Sequence, residues 1–201
     1  MYQLCIHQVQ AATHTTDLLI SEYIEGSSFN KAIELYNGTG ADIDLANYSL
    51  ELYSNGVATA SQTLKLSGTM KNGTTYVLHH KDANADIKSK GNLVNSTVIN
   101  FSGDDALVLK KDGSVIDSMG QAGTMVNNMA DITLVRNNNV VSGDKIIDDA
   151  FDPAVEWTAL PKDDSSNLGI HGSASENPDD PAEIITINDA RSKPLGGNGN
   201  D

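Results

Sequence analysis

An all-β sandwich or barrel is the fold class this sequence predicts, and three observations carry it. Apolar residues recur with a period of two, turn dipeptides separate the alternating runs, and no amphipathic helix of useful length interrupts them. Leu18, Ile20 and Ile24 are placed on one face of a strand over 17–25, with Glu22 on that same face. Ile33 and Leu35 alternate with Ala32, Glu34 and Tyr36, and Tyr48, Leu50 and Leu52 alternate with Ser49, Glu51 and Tyr53. Shorter strand-like runs follow at 63–66, 74–79, 98–101, 106–110, 114–117 and 132–136. Between them stand Asn37-Gly38, Asn55-Gly56, Ser67-Gly68, Asn72-Gly73 and Asp112-Gly113, residues that tolerate the positive φ of tight turns. The hairpin around Asp112-Gly113 is the clearest, with Leu107 and Leu109 on one strand and Val115 and Asp117 on the other. Residues 146–151 could form one helical turn, which Pro153 would stop. The expected core is Leu18, Ile20, Ile33, Leu35, Leu50, Leu52, Val77, Leu107, Leu109, Leu134 and Trp157.

Composition bounds the function. The 201 residues carry 13 Lys+Arg against 27 Asp+Glu, a formal charge of −14, which disfavours a broad DNA- or membrane-binding face. Hydrophobic residues make up 39%, enough apolar area to offset the ordering entropy of a folded domain. No apolar run approaches the ~18 residues of a membrane span, so no membrane partner is expected. The single cysteine, Cys5, excludes an internal disulfide and a multi-cysteine zinc site. Residues 1–16 lack the basic and apolar regions of a signal peptide and read as a disordered leader or tag remnant. Residues 17–172 form the expected β domain. Residues 173–201 open with an acidic, proline-containing linker and continue into a strand-like run at 184–187, a tail expected to be disordered, docked on the main domain, or the start of a following segment.

Catalytic chemistry finds no foothold, so no catalytic residue is expected. There is no Gly-x-Ser-x-Gly elbow, no His-Glu-x-x-His and no phosphate-cradling loop. His79 and His80 are adjacent on a strand and so point to opposite faces, one ring expected packed and the other solvated. Calcium is the cofactor candidate. Asp82, Asn84 and Asp86 place three oxygen donors at alternate positions of one loop, as hard cations require. Ile87 replaces the turn glycine of an EF-hand loop and Leu93 its last acid, so any affinity should be millimolar. Asp104 and Asp105 form a second acidic pair, expected as a turn into the 105–111 strand. Glu22 and Glu34 in mid-strand call for a solvated face, a pairing with Lys31 or Arg136, or an ion. DNA would bind weakly or not at all, unless Lys65, Lys71, Lys88, Lys90, Lys110 and Lys111 gather into one patch.

The run Leu19-Ile20-Ser21-Glu22-Tyr23-Ile24-Glu25-Gly26-Ser27-Ser28, followed by Asn30-Lys31-Ala32-Ile33-Glu34-Leu35-Tyr36-Asn37, resembles the opening of bacterial lamin-tail domains. Further motifs follow in family order. They are Asp44-Leu45 with Tyr48-Ser49-Leu50, then Gly73-Thr74-Thr75-Tyr76-Val77-Leu78, then Gly103-Asp104-Asp105-Ala106-Leu107-Val108-Leu109. The series closes with Asp112 to Gly120, Thr133-Leu134-Val135-Arg136, Glu156-Trp157 and Leu168-Gly169-x-His171. The resemblance covers about 17–172 and implies an immunoglobulin-like antiparallel β-sandwich. This version of the opening is similar to the form found in secreted bacterial nucleases, where it precedes a catalytic domain of the endonuclease/exonuclease/phosphatase type. The resemblance therefore implies a non-catalytic accessory or binding module, secreted, whose partners are other domains of a nuclease or a surface partner. A stand-alone metal-dependent nuclease or phosphatase, and a cell-surface adhesion or scaffold module, are the competing readings.

Overall fold

The computed structural model describes residues 14–172. The expectations for residues 1–13 and for the linker and strand-like run of 173–201 lie outside the described residues. In chain order the elements are β1 (Leu19–Glu25), β2 (Lys31–Tyr36), β3 (Ile43–Asp44), β4 (Tyr48–Tyr53), β5 (Gln62–Lys65), β6 (Thr69–Met70) and β7 (Thr75–His79). There follow α1 (Ala85–Ser89), β8 (Leu93–Val94), β9 (Ala106–Lys111), β10 (Ser114–Met119), β11 (Ile132–Arg136), α2 (Pro153–Glu156) and β12 (Trp157–Leu160). A six-stranded sheet in the order β12-β11-β1-β2-β7-β8 packs on a four-stranded sheet in the order β10-β9-β4-β5, and β3 and β6 form a short ribbon. All pairings are antiparallel except the short parallel pair β7–β8. This is the expected immunoglobulin-like antiparallel sandwich.

Ten of the eleven expected core residues fill one cluster between the sheets, and Tyr23, Leu78, Phe101 and Met129 join them. Val77 is the exception. It is buried on the opposite face of the six-stranded sheet, in a second cluster with Ile24, Ala32, Ala83, Ile87 and Leu168.

A β-bulge explains why Ile24 also departs from the alternation. Ile20 opposes Leu35 and Glu22 opposes Glu34, so Ser21 is an extra residue on β1. One extra residue in a period of two sends every later side chain to the other face. Ile20 stays in the core, Tyr23 enters it, and Glu22 and Ile24 turn to the outer face. A second bulge lies in β10, where Val115 opposes Lys110 and Asp117 opposes Leu109.

Val98, Ile99 and Phe101 are buried, but the run 98–101 is not a strand. It lies on the crossing from β8 in one sheet to β9 in the other, so its side chains fill the core while its backbone has no ladder to join. Residues 146–151 form no helix, and Pro153 starts α2 instead of stopping a helix before it. Asp152 caps that turn by accepting the Ala154 N–H, and proline at the first helical position forfeits only an amide that would have no partner there.

Candidate functional site

Asp82, Asn84 and Asp86 lie together just before and within α1, but their oxygens have different work. Asn84 is the N-cap, its Oδ1 accepting the Ile87 N–H at 2.9 Å. Asp82 accepts the Lys81 ammonium at 2.5 Å, which holds its carboxyl below the usual range although it is exposed. Asp86 sits in the first helical turn. Among the described residues no group of three or more His, Cys, Asp or Glu side chains is arranged to hold a metal ion.

Both rings of the histidine pair are buried, against the expectation that one would be solvated. His80 stacks on Phe29 with ring centroids 4.5 Å apart, and its burial pushes its pKa down. His79 Nδ1 lies 2.9 Å from the His80 carbonyl oxygen, and its ring packs so tightly on Gly91 that a Cβ there would sit 2.0 Å from it. The sequence missed this because β7 ends at His79, and the 26–30 loop folds over the next residue.

Several lysines of the hypothetical patch are engaged elsewhere. Lys71 pairs with Asp42 at 2.6 Å, Lys110 with Glu51 at 2.8 Å and Lys111 with Asp17 at 2.9 Å. Lys90 donates to the Ser165 carbonyl at 2.6 Å.

An opening with convergent polar groups lies at one end of the sandwich. Glu25, Ser102, Gly103, Asp104, Met125, Asn127, Ala130 and Asp131 line a groove of about 500 Å³. Its carboxylates come from three parts of the chain. Glu25 ends β1, and its oxygens accept Lys31 Nζ at 2.6 Å and the Asp131 N–H at 2.5 Å. Asp131 stands in the left-handed region (φ 56°) and pairs with Lys162 at 2.5 Å. Asp104 belongs to the turn before β9. Its neighbour Asp105 turns inward and accepts the backbone N–H groups of Ser102 and Asn55, both at 2.7 Å, as the expected turn requires. Gly103 lets this turn meet the 127–131 loop, because a Cβ there would lie 2.1 Å from the Ala130 nitrogen. Met125, 62% exposed, supplies the apolar wall, and Val57 and Val126 are exposed as well. Carboxylate oxygens beside a thioether suit a cationic group with an apolar stem, such as a lysine or arginine side chain. Sequence reasoning named Asp104 but not Glu25, Asp131 or Met125, since only the fold brings a strand end and two distant loops together.

Glu22 and Glu34 are the second unusual group. They oppose each other across β1 and β2, fully buried, on the outer face. Neither meets a solvated face, and neither pairs with Lys31 or Arg136. Lys31 pairs with Glu25, and Arg136 pairs with Asp117 and Glu156. Glu34 accepts the Ser21 hydroxyl at 2.7 Å and the Gly169 N–H at 2.5 Å, whereas both oxygens of Glu22 lack any hydrogen-bond partner. Burial, with the Glu34 charge adding to it, pushes the Glu22 carboxyl up to about 8, and burial raises Glu34 as well.

No curated protein matches this chain. A family model described as Lamin Tail Domain matches residues 11–123, which contain eleven of the fourteen elements, β1 to β10 and α1. That match covers more than half of the 201 residues and agrees with the sandwich seen here, and the chain belongs to the lamin tail domain family.

Proposed function

We propose that the chain is a secreted, non-catalytic binding module associated with a bacterial nuclease, and that it engages a basic protein surface through the groove at its loop end. The groove carries this reading: three carboxylates and an exposed methionine converge there from a strand end and from separate loops. Loops gathered at one end of an immunoglobulin-like sandwich are a common place for recognition, because a rigid scaffold holds them. The nuclease association and the secretion are supported by the likeness of residues 19–37 to the opening of lamin-tail domains in secreted nucleases. The partner is another domain of that nuclease or a surface protein. A charge of −14 and lysines already engaged with acids argue for weak or no DNA binding by this module alone.

Two experiments test the proposal. Incubation with plasmid DNA, magnesium and calcium should give no turnover. Cleavage proportional to protein and surviving repurification would establish the competing stand-alone nuclease. The reading frame after Asp201 tests the association, where an endonuclease/exonuclease/phosphatase-type domain supports it and adhesion repeats overturn it.

A further inference from the structure

The outer face of the six-stranded sheet is covered by α1 and by the closing segment 163–170, and the buried glutamates lie beneath that cover. The segment is held at four places. Asp163 accepts the Ser27 N–H at 2.7 Å and the Asn30 amide at 2.8 Å. Thr133 Oγ1 donates to the Asp164 carbonyl at 2.9 Å, and Lys90 Nζ donates to the Ser165 carbonyl at 2.6 Å. Leu168 packs on Ile24, Val77 and Ile87, and the Gly169 N–H donates to Glu34. Removing the segment would return Glu22 and Glu34 to water.

The groups facing Glu22 are few, and each element contributes in its own way. Glu34 faces it from β2, Lys90 from the end of α1, and Asp164 from the closing segment. Its register partner on β11 is Val135, which does not titrate. Two carboxylates opposed in a low-dielectric site cannot both ionise at little cost, and one of them keeps a proton. Glu34 has two hydrogen-bond donors and Glu22 has none, so the proton belongs on Glu22. Once Glu22 ionises, a second negative charge stands beside Glu34 and Asp164 with no donor to stabilise it, and hydration is the remaining relief.

We propose that Glu22 and Glu34 form a proton-dependent latch: with Glu22 protonated the 163–170 segment lies closed on the sheet, and ionisation of Glu22 releases it. The segment is followed by His171, which packs on Tyr36 and anchors its far end. With the Glu22 carboxyl raised from 4.5 to about 8 in the closed state, closure is tightest in acid, weakens as pH rises, and has lost this contribution by about 8.

Hydrogen exchange by mass spectrometry tests this on the full chain. The exchange rate of peptides covering 163–170 is divided by that of β9 peptides in the same sample, which cancels the intrinsic pH dependence. The ratio should be flat below about pH 4.5, rise by up to about tenfold per unit from there, and level off above about 8. In Glu22→Gln it should stay flat throughout. A flat wild-type ratio overturns the proposal, and so does an equal rise in the glutamine variant. Should that variant fail to fold, the ¹³C carboxyl resonance of Glu22 in the wild type decides instead. A midpoint coinciding with the pH at which the exchange ratio levels off supports the latch, and one separated from it by more than about a unit overturns it.

Discussion

Arg136 on β11 reaches Asp117 on β10, its Nη1 2.5 Å from Asp117 Oδ2, and this ion pair ties the two sheets together out of contact with water. Each partner is further committed. Asp117 accepts the Ile20 N–H at 2.7 Å and the Asp144 N–H at 2.9 Å, and Arg136 Nη2 donates to Glu156 at 2.5 Å. The Arg136 guanidinium also lies 5.0 Å from the centre of the Trp157 ring. Both bulges serve the arrangement. One leaves the Ile20 amide available to Asp117, and the other turns Asp117 itself inward.

Breaking this pair from one side strands the other charge. Asp117→Ala should cost about 3–5 kcal/mol, with Arg136→Met in the same range. The melting temperature should fall on the order of 10 °C in each case. The double variant should lose much less than the sum of the two, and denaturant unfolding of all four proteins measures that coupling. Additive losses would show that the two residues act independently.

His171 sets part of the acid sensitivity. Its ring packs edge-on to Tyr36 at 4.7 Å, and burial, with Arg136 adding to it, pushes its pKa down to about 4. A base with a depressed folded-state pKa stays neutral in the fold while the unfolded chain takes up a proton. Stability from this group is therefore complete above about 6.5 and is lost as pH falls from there toward about 4. His171→Phe keeps an aromatic contact with Tyr36, and its melting temperature should fall less across that window than the wild type's. Parallel curves for the two proteins would remove His171 from the acid response.

Calcium at Asp82, Asn84 and Asp86 would have to draw Lys81 from Asp82 and the Asn84 oxygen from its cap. That competition keeps any affinity in the millimolar range, so melting temperatures in chelator and in sub-millimolar calcium should agree. A rise at micromolar calcium that disappears in Asp82→Ala/Asp86→Ala would refute the competition argument. Asn84→Ala should cost about 1 kcal/mol as a lost cap, with or without calcium.

Gly26 is fixed by space. A Cβ there would stand 2.2 Å from Asp163 Oδ1 and 2.9 Å from the Asn30 carbonyl oxygen. Gly26→Ala should destabilise the fold by about 1–3 kcal/mol. The loss should appear first as faster exchange in the 163–170 segment, because the displaced carboxylate is one of its anchors. A neutral substitution with unchanged exchange would contradict this packing.

The sequence by itself determined the class of fold, most of the strands and most of the core, because period-two alternation and turn chemistry are local properties. Leu50, Leu52, Leu107 and Leu109 lie where alternation put them, and Asp112-Gly113 makes its turn with φ of 49° and 79°. It also carried the motifs by which the lamin tail family was legible. Tertiary structure alone decided which face each side chain took after Ser21, since a bulge inserts one residue without marking the sequence. It likewise decided that Glu22 and Glu34 are buried, that Arg136 belongs to Asp117, and that Glu25, Asp104 and Asp131 share a groove. These relationships join residues from 12 to more than 100 positions apart, as with Glu22 and Glu34 or Glu25 and Asp131. A local pattern carries no information about such distances; the packing of one sheet on the other, and of the closing segment on both glutamates, supplies it.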